Sequence, residues 1–234
     1  IHTCLFYMRM KGTIMETIVQ AKRVLEIFKE MSQIPRESGN EKGISDYIVN
    51  FAKNLGLEVH QDEIFNVVIK KAASPGYENR PSIILQGHID MVCVKDHDSN
   101  HDFSKDPIAN IIEGEWMHAD HTTLGADNGM GAAMMLALLE DESQQHGPMQ
   151  LLFTTNEETG MDGAFAIKEG QVTGDYLLNL DTEVEHDFTV SCAGGCHVHV
   201  KIPLLRDNNQ PGYDAGLSIT CLLYTSDAAD DSLR

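Results

Sequence analysis

Basic side chains are scarce in this sequence: 17 Lys and Arg stand against 36 Asp and Glu, for a formal charge of -19. A surface that tracks phosphates needs the opposite sign, so neither nucleic acid nor an anionic membrane is an expected partner. Part of the acidity is expected to answer bound cations. The five cysteines, Cys4, Cys93, Cys192, Cys196 and Cys221, form no CxxC pair, which argues against a zinc knuckle or a dithiol redox motif and fits a reducing, cytoplasmic setting. No basic region followed by a continuous apolar stretch opens the chain, and no apolar run approaches membrane-spanning length, so neither secretion nor anchoring is expected. Internal repeats and low-complexity segments are also absent.

What is present is a chain of 234 residues, enough for one domain or one and a half with a buried core. Its two ends read as foreign to the fold. Residues 1–14 carry no helical or strand period and are expected to be a non-native or disordered leader, with Met15 as the true start; an ordinary N-terminal arm is the alternative. The tail Cys221-Leu222-Leu223-Tyr224-Thr225-Ser226-Asp227-Ala228-Ala229-Asp230 resembles the translation of a transposase adapter used in preparing DNA sequencing libraries. Residues 221–234 are therefore set apart from fold reasoning, and the natural reading frame is expected to be cut near Thr220.

Between these ends the pattern alternates. Ile18, Ala21, Val24, Leu25, Phe28 and Met31 recur at three and four, predicting a surface helix from Thr17 to Met31. Ile34-Pro35-Arg36-Glu37-Ser38-Gly39-Asn40 breaks it, and a second helix is expected from about Glu41 to Leu55, capped by Gly56. Leu57–Ile64 and Asn66–Lys71 read as a hairpin or adjacent strands. Ser82-Ile83-Ile84-Leu85 reads as a buried strand leading into Gln86-Gly87-His88-Ile89-Asp90. The segment 95–112 is polar and rich in Asp and His, and a short strand is expected at Glu115–Asp120. A glycine-rich turn, Thr122 to Gly131, precedes a helix over Gly131–Glu142. The strand Gln150–Thr154 ends at Glu157-Glu158, a helix is expected near Gly163–Glu169, and the run Tyr176–Leu180 ends at Asp181. This order predicts an α/β mixed sheet with helices on both faces.

In such sheets ligands gather at the carboxyl ends of the strands. His88, Glu157, Glu158 and Asp181 each lie just past an apolar run, so the fold itself is expected to bring them to one rim alongside Asp127. One imidazole and several carboxylates suit two divalent metals such as zinc, and a shared Asp127 would hold them about 3.5 to 4 Å apart. His88 and Asp90, two apart on an extended segment, share a face, so Asp90 can orient the imidazole. The adjacent Glu157 and Glu158 repel and need a reason to sit together, which a metal supplies; Glu158 would coordinate and Glu157 would act as general base on the metal-activated water. Plainer alternatives stand beside each reading: Asp127 as a helix cap, the glutamate pair as solvated loop residues, Asn128-Gly129 as a simple turn.

His88-Ile89-Asp90, Gly125-Ala126-Asp127-Asn128-Gly129, Asn156-Glu157-Glu158-Thr159-Gly160 and Asn179-Leu180-Asp181, with Val190-Ser191-Cys192-Ala193-Gly194-Gly195, together resemble metallopeptidase family M20. The likeness is strongest to its bacterial aminoacyl-histidine dipeptidases and runs from Met15 to about Thr220. It implies a zinc-exopeptidase-like sheet over 15–184 and, over 185–220, the start of an inserted α+β lid domain through which members often form homodimers. By position, His88, Asp127 and Asp181 would hold one zinc and Asp127 and Glu158 the other, with Co2+ or Mn2+ as further candidates. Asp90 would support His88, Glu157 would be the general acid/base, and the Asp127–Asn128 peptide would be cis. The family's remaining zinc ligand, a histidine near the end of a much longer chain, has no match here.

The resemblance thus implies a cytoplasmic two-zinc hydrolase of short peptides, in particular Xaa-His dipeptides, with this 234-residue chain by itself expected to be inactive. A broader dipeptidase, an amino-acid deacylase and a non-catalytic metal-binding protein are the competing readings. His197 and His199 are more readily ordinary strand residues than ligands. Cys192 and Cys196 suit a bulge or tight turn better than a redox pair. His97, His101, His118 and His121 sit in loops that read as solvated.

Overall fold

A computed structural model describes residues 8–9, 19–182 and 188–191. The chain divides into two units, 1–186 and 187–234, and the account below concerns the first. Cys192, Cys196, His197, His199 and the tail 221–234 lie outside the described residues.

Helix α1 (Val19–Met31) and helix α2 (Lys42–Asn54) form where the apolar residues recur at three and four. Ile27, Phe28 and Met31 of α1 and Ile44, Ile48 and Ala52 of α2 are fully buried. Helix α3 (Ala126–Glu140) is apolar nearly all round, with Ala132, Ala133, Met135, Leu136, Ala137 and Leu139 buried. A helix of that kind belongs inside, and α3 lies between α1 and the sheet. Its exposed C-terminal carbonyls are met from β3 by Lys71, whose ammonium donates to Leu138 O at 3.1 Å and Leu139 O at 3.0 Å.

The main sheet has five strands in the order β2 (Glu58–Gln61), β3 (Val67–Lys71), β7 (Met149–Thr154), β4 (Ile83–His88), β8 (Tyr176–Asn179). β2, β3 and β7 pair antiparallel, whereas β7, β4 and β8 run parallel, with His88 opposite Thr154 and Gln86 opposite Asn179. Alternation along the strands separates two apolar faces. Val67, Ile69, Leu85, Leu151 and Phe153 pack with the three helices into the main core, while Val68, Ile84 and Leu152 face the other way beneath Ile167 and Val172. That second face carries the short helix α4 (Asp162–Ala166), whose Ala164 lines a cavity over Ile84 and Leu152. A smaller antiparallel sheet joins β1 (Met8–Arg9), β6 (Trp116–Ala119) and β5 (Asn110–Glu113).

The mixed sheet with packed helices follows the expectation, and several boundaries move. Strand β5 overlaps the end of the stretch read as polar and rich in Asp and His, because its apolar content is only Ile111-Ile112. The helix expected from Gly131 starts earlier: Gly125 enters the left-handed region at φ 71°, and Asp127 and Asn128 interrupt helical geometry within the first turn of α3. Helix α4 stops at Ala166 rather than Glu169, since Ile167 turns extended. Strand β8 sits at the sheet edge with all four residues exposed, despite its apolar sequence.

Candidate metal centre

Because β7, β4 and β8 are parallel, their carboxyl ends open on one rim, and β4 lies in the middle. His88 is the last residue of β4; Glu157 and Glu158 follow β7 on one side, and Asp181 follows β8 on the other. The glycine-rich turn opening α3 brings Asp127 over the same point. All six residues read from the sequence, His88, Asp90, Asp127, Glu157, Glu158 and Asp181, therefore meet at one rim.

His88 is the hub, and it is buried. Its Nε2 lies 2.9 Å from Asp127 Oδ1, 3.6 Å from Asp181 Oδ1 and 4.0 Å from Glu157 Oε2. On the other side of the ring, Nδ1 lies 3.2 Å from Asp90 Oδ1. Asp90 is fully buried and serves a second strand end as well. Its two oxygens accept the backbone N–H groups of Glu157 at 3.1 Å and Glu158 at 3.2 Å, and Ser38 Oγ donates to Oδ2 at 2.8 Å. The peptide between Asp127 and Asn128 is cis. Asn128 ties the turn to the end of β8, donating through Nδ2 to Leu180 O at 3.0 Å and Asp181 Oδ1 at 2.8 Å.

Sequence reasoning missed the support beneath this rim. The segment read as a mere helix break supplies Ser38 and Arg36, and Glu41 stands at the expected start of the next helix; Arg36 and Glu41 are both buried. Glu41 Oε1 accepts the N–H of Gly39 at 2.9 Å and that of Asn156 at 3.0 Å, fixing the start of the Glu157-Glu158 turn. Arg36 donates to Ile89 O at 3.2 Å and Asp90 O at 3.1 Å. The one local signal was a buried-core spacing on both flanking helices with Arg and Glu between them, which leaves those charges close to the interior. The other omission is the Asn128 side chain, whose bonds to Leu180 and Asp181 neither the turn alternative nor the expected cis peptide implied.

The electrostatics follow from packing carboxylates together. Burial works against a charged imidazole at His88, but its hydrogen bonds to the carboxylates of Asp127, Asp181 and Asp90 prevail and raise it to about 12. Asp90 is held low: burial opposes its charge, and His88, Ser38 and the Glu157 N–H outweigh that. Asp181 is lowered by its hydrogen bond to His88. Glu157 is pushed up by burial, and the charges of Asp181, Asp90 and Asp127 add to that push against His88. Glu158 is raised by burial and then by Asp127. The rim therefore concentrates negative charge around the His88 imidazole.

Two sets of donor atoms come within 4.8 Å of one another: His88 with Asp127 and Asp181, and His88 with Glu157 and Glu158. Imidazole nitrogen and carboxylate oxygen suit zinc and related divalent ions, and a cation there would offset several close carboxylates at once. The residues present thus fit a divalent metal. The second set differs from the sequence reading, which paired Glu158 with Asp127 and left Glu157 free. Neither set, among the described residues, includes His97, His101, His118 or His121; His97 and His121 are exposed, with His121 Nδ1 2.7 Å from Asp96.

Residues 84–212 match the model of peptidase family M20/M25/M40. The chain is 44% identical over 189 residues to the cytosol non-specific dipeptidase of Escherichia coli, covering 81% of this chain and 39% of that protein. Among solved structures it resembles aminoacylhistidine dipeptidase from Vibrio alginolyticus, with 46% identity and a TM-score of 0.69 over 73% of this chain and 34% of that one. It also resembles a tripeptidase from Staphylococcus aureus, with 27% identity and a TM-score of 0.59 over 70% of this chain and 44% of that one. The chain thus spans less than half the length of each of these proteins.

Proposed function

The chain belongs to peptidase family M20/M25/M40, and from that premise we propose that the protein hydrolyses short peptides at a two-zinc centre formed around His88. The observation that carries the reading is the position of the His88 imidazole, whose ligand atoms lie within 4.8 Å of those of Asp127 and Asp181 in one set and of Glu157 and Glu158 in another. His88, Asp127 and Asp181 would hold one ion, and Asp127 and Glu158 the other. When bound, such ions polarise the peptide carbonyl and make a water acidic enough to attack near neutral pH.

The remaining chemistry belongs to this chain's own side chains. Glu157 takes the proton from the attacking water and passes it to the departing amine nitrogen, so that one carboxyl group serves as base and then as acid. Its environment supports the role, because burial and the neighbouring carboxylates raise Glu157 above the ordinary range and favour its carrying a proton between the two steps. Asp90 holds the His88 ring by Nδ1 and keeps the Glu157 backbone in place, so base and ligand are positioned by one group. A cavity of about 350 Å³ adjoins Glu157 and Asp181 and is lined by Ile84, Leu152, Met161 and Leu177.

Xaa-His dipeptides are the proposed substrates, supported by the name of the Vibrio alginolyticus relative. The Escherichia coli relative is named non-specific, which supports a broader dipeptidase as the second reading. Its name also supports a cytosolic location, and no described helix is long and apolar enough to cross a membrane. The test is Glu157→Ala in protein extended to the length of these relatives. Hydrolysis of a panel of dipeptides should fall at least about a hundredfold, the scale of a lost general base, while bound zinc stays at the unsubstituted level. Turnover that survives the substitution contradicts the role of Glu157, and preference for Xaa-His over other dipeptides separates the two substrate readings.

A further inference from the structure

A guanidinium is always charged in water, and burying one demands that its N–H donors be met. Arg36 is 2% exposed, and the hydrogen bonds it makes go to backbone alone, Nη1 to Ile89 O and Asp90 O and Nη2 to Gly125 O in a short bond, while its buried Nε has no hydrogen-bond partner among the described residues. Those carbonyls belong to two separate turns. One follows β4, directly after its last residue His88, and carries Asp90; the other opens α3 and carries Asp127. The second turn is built around the guanidinium. A Cβ at Gly125, where φ is 71°, would collide with Nη2, and one at Gly129 would lie 2.7 Å from it. Burial lowers Arg36 to about 10 against the pull of Asp90, so it stays charged at neutral pH.

We infer that Arg36 is the positioning residue of the metal centre: it locks the turn after β4 to the turn before α3, so that the His88 imidazole and the Asp127 carboxylate face the same cation. It acts through main-chain carbonyls, touching neither ligand side chain nor substrate. A planar fork suits this task, because it reaches carbonyls on two turns at fixed angles, whereas a lysine offers a single point of charge. The inference rests on the metal-centre reading above.

The test compares the 234-residue chain with Arg36→Met and Arg36→Lys by two readouts. One is titration with Co2+ alone, followed by its visible absorption. The other is amide hydrogen exchange across 86–94 and 122–131 in metal-free protein. Arg36→Met should weaken Co2+ binding about tenfold or more, the scale of a lost supporting partner, and alter the Co2+ spectrum. Exchange in the two turns should quicken, while α1 and α2 keep their protection. Arg36→Lys should fall between it and the unsubstituted chain. Unchanged affinity, spectrum and exchange in folded Arg36→Met overturns the inference; should that variant fail to fold, the same result in Arg36→Lys overturns it. If the unsubstituted chain binds no Co2+, the metal-centre reading fails, and exchange in the two turns still decides whether Arg36 ties them.

Discussion

Asp90 Oδ1 contacts the His88 ring at Nδ1 and accepts the Glu157 N–H, at 3.2 and 3.1 Å, so one oxygen couples the hub of the site to the turn carrying its proposed base. Asp90→Asn would replace a carboxylate by an amide that can accept at only one atom. The neighbouring N–H groups of Glu157 and Glu158, and Ser38 Oγ, would then compete for that atom. Zinc affinity should fall about 10- to 100-fold, as expected for a supporting partner of a metal-binding histidine, and competition against a chromophoric chelator measures it.

The imidazole carries a second prediction. His88 binds a proton up to about 12 in the metal-free chain, whereas a metal needs the neutral ring. Zinc binding at pH 7 to 9 should expel close to one proton from His88, visible as a calorimetric enthalpy that varies with buffer ionisation heat. Apparent affinity should rise with pH over that range.

The same shift fixes a stability slope. The folded value of His88 lies above its ordinary 6.5, so its stabilisation is complete below 6.5 and is lost as pH climbs towards about 12. Asp90 acts oppositely: its value is lowered on folding, so its contribution holds above the ordinary carboxylate range and is lost as pH falls through the depressed value. Thermal melts of metal-free protein should show a decline in midpoint between pH 7 and 11 that His88→Asn flattens.

Packing beneath the site should matter independently of metal. Leu136 of α3 is fully buried in the main core. Leu136→Ala should destabilise the fold by about 2 to 5 kcal/mol, measured by urea denaturation, with the loss persisting in excess chelator.

The residues of the rim were legible because each follows a local signal: an apolar run that ends, or a glycine-rich turn that opens a helix. His88, Glu157, Glu158 and Asp181 could be placed together because each follows an apolar run in an expected α/β sheet, where strand ends share a rim; that β4, β7 and β8 are parallel neighbours is seen only in the structure. Arg36, Ser38 and Glu41 could not, because the partners that tie them to the site lie 52 to 115 residues away, mostly in backbone groups that leave no trace in the sequence pattern. Asn128 looked like a turn residue since its bonds to Leu180 and Asp181 are likewise remote. Strand β8 shows the converse: Tyr176, Leu177 and Leu178 read as an apolar run, yet all are exposed, because burial depends on what covers a strand.

The most direct measurement is X-ray absorption at the zinc edge on the chain loaded with one equivalent of Zn2+. The sequence contains 11 histidines and 5 cysteines that compete for the ion, and a centre built on His88 uses one of the former and none of the latter. The account predicts a nitrogen and oxygen shell near about 2.0 Å with one imidazole per zinc, lost on His88→Asn. Sulfur scattering at about 2.3 Å, or two or more imidazoles that survive His88→Asn, would place the metal elsewhere and contradict it.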